Sequence, residues 1–158
     1  MGVDAFLLSI RECRKKKIYD KCIHKDVLKT SFKKNSFDCV LALDFIEHLE
    51  KKKALKLIKY MESVARKKVI LFTPNGFLKQ EAVEGSKWQE HKSGWLPKEL
   101  QKLGYIVYGA SGIKPLKGYR ASIKYKPWFF WLIISELSQF FVYKNPAKAF
   151  HLFCVKKL

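Results

Sequence analysis

Acidic residues are scarce in this chain of 158 residues: 14 Asp and Glu stand against 32 Lys and Arg, for a formal net charge of +18. Such a field favours phosphate-rich partners, anionic cofactors or anionic membrane surfaces, without choosing among them. Cysteine is sparse too. Cys13, Cys22, Cys39 and Cys154 form no C-x-x-C pair and no zinc-like spacing, which excludes a structural zinc framework and points to a reduced compartment. The apolar start, Met1 to Ile10, has no basic region before it, carries Asp4 and lacks a small-residue cleavage site. It is therefore not read as a signal peptide, and a cytoplasmic protein is expected. Nor is there an internal repeat, a low-complexity linker or an uninterrupted apolar run of membrane length. What the sequence does have is 48% hydrophobic and 15% aromatic residues, enough for one folded domain over 1–158 rather than a disordered basic tail.

Apolar periodicity alternates between helix and strand. Ala5 to Lys17 places Phe6, Leu7, Ile10 and Cys13 on one helical face, with basic residues at the C-terminal end where they complement the helix dipole. Tyr19 to His24 is a weak strand that stops at Asp26. Phe37 to Leu43 is a continuous apolar run, as expected for a parallel strand buried on both faces, and Asp44 ends it. Lys51 to Ala65 repeats Leu55, Ile58, Met61 and Ala65 at helical spacing. Lys68 to Thr73 is a second buried strand, stopped by the turn chemistry of Thr73-Pro74-Asn75-Gly76. A helix over Leu96 to Leu103 and a strand over Tyr105 to Ala110 follow, and Ala147 to Val155 reads as a final strand antiparallel to the latter. Between them, 127–144 is an apolar helix bounded by Lys124, Lys126 and Lys144. Burial under the sheet is the expectation for it; a place in a membrane interface or against a lipid-like acceptor is the alternative. This order implies an α/β fold whose sheet is mostly parallel, carries helices on both faces and binds ligands beyond the carboxyl ends of its strands.

Asp4, Asp26 and Asp44 each follow a strand. They suit helix N-capping, and equally the recognition of ribose hydroxyls, an adenine amino group or a cation. Gly2-Val3-Asp4, Asp26, Phe37-Asp38-Cys39-Val40, Asp44-Phe45-Ile46-Glu47-His48-Leu49 and Thr73-Pro74-Asn75-Gly76 occur in one order and spacing. Together, over Gly2 to Ser111, they resemble the class I S-adenosylmethionine-dependent methyltransferases, in particular the type 11 and ubiquinone-biosynthesis-like group. The resemblance implies a Rossmann-like sheet, S-adenosylmethionine as cofactor and transfer of its methyl group. It implies that Asp4 binds the ribose hydroxyls, that Asp26 and the Val27 backbone hold the adenine, and that Leu43 and Asp44 line the methionine end. The family's first strand, its G-x-G-x-G loop and its first helix have no counterpart, and the eight glycines are scattered. An N-terminally truncated domain is therefore expected, with unpaired strand edges where the missing strand would lie, between those ending at Asp4 and Asp44. Such a domain would be inactive alone or completed by a partner chain.

Asp44, Glu47, His48 and His91 form a second constellation. Spacings of three and four would point the first three the same way from one helical turn, and His91 lies in the polar connection beyond. Glu47, His48 and His91 are the candidate catalytic residues, with His48 lining the acceptor pocket or acting as a general base. A divalent metal on all four is the less favoured reading; the spacing is similar to that of metal-dependent small-RNA 2′-O-methyltransferases, with Asp44 where that family has Glu. The connection over 77–95, with Trp88 and Trp95, reads as an acceptor-side lid or as a loop anchored on the core. The basic runs at Arg14 to Lys17, Lys51 to Lys53 and Arg66 to Lys68 read as solvated helix ends, or as a footprint for RNA or anionic lipid. Methyl transfer to a small or lipid-like acceptor is thus the leading expectation. The alternatives are a non-enzymatic basic module binding RNA, an anionic membrane or a partner chain, and a metal-assisted RNA 2′-O-methyltransferase-like enzyme.

Overall fold

In the computed structural model the structure describes residues 1–82, 87–118 and 121–158. The two apolar strand runs on either side of the Lys51 to Ala65 helical segment pair with each other. β3 (Phe37–Leu43) lies parallel to β4 (Ala65–Pro74), and α2 (Lys51–Val64) crosses between them. Of the helical face read in the sequence, Ile58 and Met61 are buried against the sheet together with Ala54, Leu57 and Val64, whereas Leu55 is only partly buried and Ala65 opens β4. α3 (Pro97–Lys102) follows, then β5 (Ile106–Ile113), α4 (Trp128–Lys144) and β6 (Ala149–Lys157). β6 inserts between β4 and β5, antiparallel to both, so the strand order is β3-β4-β6-β5. The antiparallel pairing expected of the last two strands is thus present. Leu71, Leu152, Cys154 and Trp95 meet Leu57, Ile58 and Leu100 in one core cluster. Burial pushes the Cys154 thiol up to about 12, so it acts as a small apolar residue rather than a nucleophile.

β1 (Gly2–Asp4) and β2 (Cys22–His24) form a separate parallel pair, bridged by α1 (Leu7–Lys15). Among the described residues β1 pairs only with β2 and β3 only with β4, so the edge between them carries no ladder. α1 is shorter than the periodicity suggested. Phe6 ends it in extended conformation, and the Phe6 N–H donates to Asp4 Oδ1 at 2.7 Å.

Two expectations need correction. Helices do not cover both faces at β3: Ala42 and Val40 pack into the core, while Leu41 and Leu43, on the opposite face, are each 55% exposed. Nor is α4 a buried helix, for among its residues only Ser135 and Val142 are buried. Strand alternation explains the first, because every second residue needs its own covering element. The second follows from which side of α4 meets β5.

Lys51 to Lys53 open α2 at the end where the dipole disfavours cations. Lys51 is held there by its contacts. Its Nζ donates to the Gly94 carbonyl, lies 2.8 Å from Glu99 and sits 3.7 Å from the centre of the Trp95 ring. Trp95 is fully buried, and the Leu96 N–H donates to Glu99 at 2.8 Å, so one ammonium ties the start of α2 to the start of α3. Lys51→Met should therefore cost roughly 1–2 kcal/mol and lower Tm by about 2–8 °C in a calorimetric melt, while Lys52→Met should change it little.

Candidate functional site

Three strand ends converge. Asp4 ends β1, Asp26 follows β2 and Asp44 follows β3, and all three line one cavity of about 120 Å³ together with Val27 and His48. Phe6, Phe45 and Leu49 give it apolar walls, and Trp88 and Gln89 close one side. Two of the carboxylates also serve the local backbone, which unites the two sequence readings. Asp4 Oδ1 accepts the Phe6 N–H, and Asp26 Oδ1 accepts the Leu28 N–H at 3.0 Å as an N-cap. In both cases only one oxygen appears in that bond. Asp44 sits at φ +46°, a left-handed conformation that Asp tolerates better than most residues, and its N–H donates to the Phe72 carbonyl at 2.9 Å. That turn ends β3 and sets the chain toward the cavity. Loss of hydration raises the Asp44 carboxyl above its usual range, and the charge of His91 partly offsets this.

Beneath the cavity lies the second constellation. Ile46–His48 forms a single 3₁₀ turn, in which Ile46 and Glu47 are buried and His48 reaches the cavity wall. Glu47 is 1% exposed; Thr73 Oγ1 donates to its Oε2 at 2.9 Å, and its backbone carbonyl accepts the Lys92 and Ser93 N–H groups at 2.8 and 3.0 Å. Burial pushes its carboxyl up to about 7, against the pull of hydrogen bonds from its own backbone and from Thr73. His48 Nδ1 lies 3.1 Å from the Glu90 carbonyl, and His91 Nδ1 lies 2.7 Å from that of Leu78. The two rings meet edge to face at 4.8 Å. Burial holds His48 below the usual histidine range, more than the surrounding carbonyls raise it.

Glu47, His48 and His91 offer one donor atom each, all within 4.8 Å of one another. Asp44 is not among them, so the four-residue metal set is reduced to three. Two donors about 2.1 Å from one ion are at most about 4.2 Å apart, so the set fits an ion only after its widest pair draws in by about half an ångström.

The structure therefore brings Asp4, Asp26, Val27, Asp44 and His48 together and leaves Leu43 outside, half exposed on the uncovered face of β3. Glu47 and His91 sit next to the cavity without lining it. Of the 77–95 connection, Trp88 lines the cavity and Trp95 anchors the loop, while residues 83–86 lie outside the described residues. Sequence reasoning missed Phe6 and Phe45, whose place at strand ends beside Asp4 and Asp44 was the available signal. It also missed Asn75, whose amide donates to the carbonyls of Pro146, Ala147 and Ala149 at 3.0, 3.0 and 2.8 Å and ties the end of β4 to the start of β6.

Residues 1–73 match the family model described as "Methyltransferase domain". A search of curated proteins finds no match. Among solved structures, the chain is similar to a SAM-dependent methyltransferase from Archaeoglobus fulgidus, with 15% identity, a TM-score of 0.61, and coverage of 99% of this chain and 75% of that one. A second, the MccD protein, aligns over 99% of this chain and 77% of its own at 10% identity and a TM-score of 0.44. Residues 1–73 are thus similar to the methyltransferase domain family, type 11, and the whole chain has the fold of class I S-adenosylmethionine-dependent methyltransferases.

Proposed function

We propose that the cavity at the three strand ends binds S-adenosylmethionine and that the domain directs its methyl group to a small or lipid-like acceptor. The observation that carries this is the convergence of Asp4, Asp26 and Asp44 on one cavity with apolar walls. The donor set fits the cofactor: carboxylate oxygens accept from ribose hydroxyls and from an amino group, while Val27, Phe6 and Phe45 offer apolar surface to a purine. The cavity alone is smaller than the roughly 300–1,000 Å³ of most small-molecule sites, and it lies where β1 and β3 leave edges that a further strand would pair with.

When bound, the cofactor supplies a methyl group activated by its sulfonium charge. The chain's part is positioning and exclusion of water. Asp4 and Asp26 hold the nucleoside end, and Trp88 and Leu49 shield the acceptor side. His48, neutral at pH 7, is placed to take the acceptor's proton at Nε2. Glu47 acts as a positioning residue, holding the 3₁₀ turn against Thr73 and the connection that carries His91. The three donor atoms would have to draw together to share an ion, which favours metal-independent transfer.

Calorimetric titration with S-adenosylhomocysteine tests the reading. Micromolar binding is expected, weakened about 10- to 100-fold by Asp4→Ala, the range for loss of a charged hydrogen bond. Asp4→Asn keeps an oxygen for the Phe6 N–H and should weaken binding with less loss of stability. Chelation with EDTA should leave the affinity unchanged. A cooperatively folded sample that takes up no ligand would overturn the proposal.

A further inference from the structure

α4 is turned inside out. Ser138 and Gln139 face the protein: the Ile113 N–H donates to Ser138 Oγ at 2.9 Å, the Gly112 N–H to Gln139 Oε1 at 3.1 Å, and Gln139 Nε2 to the Gly109 carbonyl at 2.9 Å. These bonds satisfy β5 backbone groups where its register with β6 shifts, between Ala110 and Ile113. The polar side is therefore used up holding the helix on the sheet. Its apolar side faces out. Phe129, Ile133, Leu137 and Phe140 recur at spacings of four, four and three along one face and are 57%, 58%, 64% and 85% exposed.

Cations surround that face. Lys124 and Lys126 precede the helix and Lys144 and Lys148 follow its last turns, all exposed. The first pair lies at the N-terminal end, where the helix dipole opposes cations, so helix stability does not account for them. Beside the helix, Lys114, Lys117, Lys124 and Lys148 line an open cavity of about 620 Å³ together with Ile113 and Phe150. Trp128 and Tyr143, aromatic residues with a polar edge, stand at the two ends of the helix.

We propose that α4 and this lysine rim form a docking surface for an anionic lipid bilayer. The helix would lie in the interface, its apolar face among the acyl chains and the lysines at the headgroups. Spanning is excluded for it, since no helix of the described residues is long and apolar enough to cross a membrane. Glu136, exposed beside that face with its carboxylate 3.9 Å from the buried Lys117 Nζ, limits the depth of insertion. A second copy of the chain fits this face less well. It would set like-charged rims together, on molecules that each carry +18.

Vesicle flotation tests the surface with the full chain. At low salt, partitioning onto phosphatidylcholine vesicles containing about one-third phosphatidylglycerol should exceed that onto phosphatidylcholine alone by about tenfold or more, and should fall as salt is added. Leu137→Ser with Phe140→Ser should cut partitioning about tenfold or more. Lys124→Glu with Lys148→Glu should reduce the anionic preference to near one. All four side chains are exposed, so Tm should not fall in either variant. A folded wild type that stays off anionic vesicles would overturn the proposal, as would binding indifferent to both pairs of substitutions. So would a concentration-dependent dimer in sedimentation that Leu137→Ser with Phe140→Ser dissolves, which would make this face the contact between copies.

Discussion

Glu47→Gln is expected to melt roughly 6–12 °C above the wild type at pH 8 and within about 2 °C of it at pH 5. The carboxyl of Glu47 is 1% exposed and is pushed by burial from an ordinary 4.5 up to about 7. A group whose folded value is raised binds its proton more tightly in the native state. Its contribution to stability is therefore full below about 4.5 and is lost as pH rises through about 7. The shift corresponds to roughly 3 kcal/mol by pH 8. Glutamine keeps the shape and an oxygen for the Thr73 hydroxyl, but it has no proton to lose. His48, held low by burial, and His151, pushed down to about 4, have the opposite sign: their contributions are present above about 6.5 and are lost as pH falls. Both remain in the variant, so they cancel in the comparison. Parallel melting profiles for the two proteins from pH 5 to 8 would sink the assignment. Because glutamine keeps the bond to Thr73, a Glu47→Gln protein that is more stable at pH 8 and transfers methyl groups at an unchanged rate would support positioning of the 3₁₀ turn beside His48 as the residue's role, whereas a slower one would assign a role to the carboxylate itself.

Much of this architecture was legible because buried strands and helices sort side chains by period. The apolar run of β3, the helical period over Lys51 to Ala65 and the change of pattern between Leu103 and Tyr105 placed their elements to within a few residues. The acids at strand ends were legible as a set, because the carboxyl ends of strands are where α/β sheets bind ligands. Their shared cavity confirms the convergence, though not what each one holds. Other features had no one-dimensional signal. Lys51 reads as one of three lysines at an unfavourable helix end, and only the fold brings Trp95, Gly94 and Glu99 to it. Asn75 reads as a turn residue, yet its three carbonyl partners lie more than seventy positions away. α4 misled for a related reason. A helix apolar almost all round gives no indication of which side is covered, and its few polar residues, which ordinarily face water, are the ones that bind β5.

That inverted packing supplies the second large effect. Gly109→Ala is expected to cost roughly 3 kcal/mol or more and to lower Tm by about 6–12 °C. In β5, Gly109 lies opposite Leu152 of β6, and the backbone of α4 presses directly on it. An added Cβ would stand 2.7 Å from Ala149 Cβ and far inside contact distance of the Val142 carbonyl oxygen. Val142 is fully buried, so neither that oxygen nor the strand has a flexible side chain that could give way. The helix must lift, which strains the bond from Gln139 to the Gly109 carbonyl and the stack of Tyr108 on Tyr143, whose ring centres are 4.7 Å apart. Alanine normally gains a few tenths of a kcal/mol over glycine by restricting the unfolded chain, far too little to offset this. Gly118→Ala is the control, because its added carbon meets only the Lys124 side chain, at 3.2 Å, and a flexible lysine can move aside. The control should melt within about 2 °C of the wild type, while Gly109→Ala should also lose near-ultraviolet dichroism from the displaced aromatics of α4. A Gly109→Ala protein as stable as the control would mean that α4 is not seated on β5 through its polar side, and the outward apolar face would lose its structural basis with it.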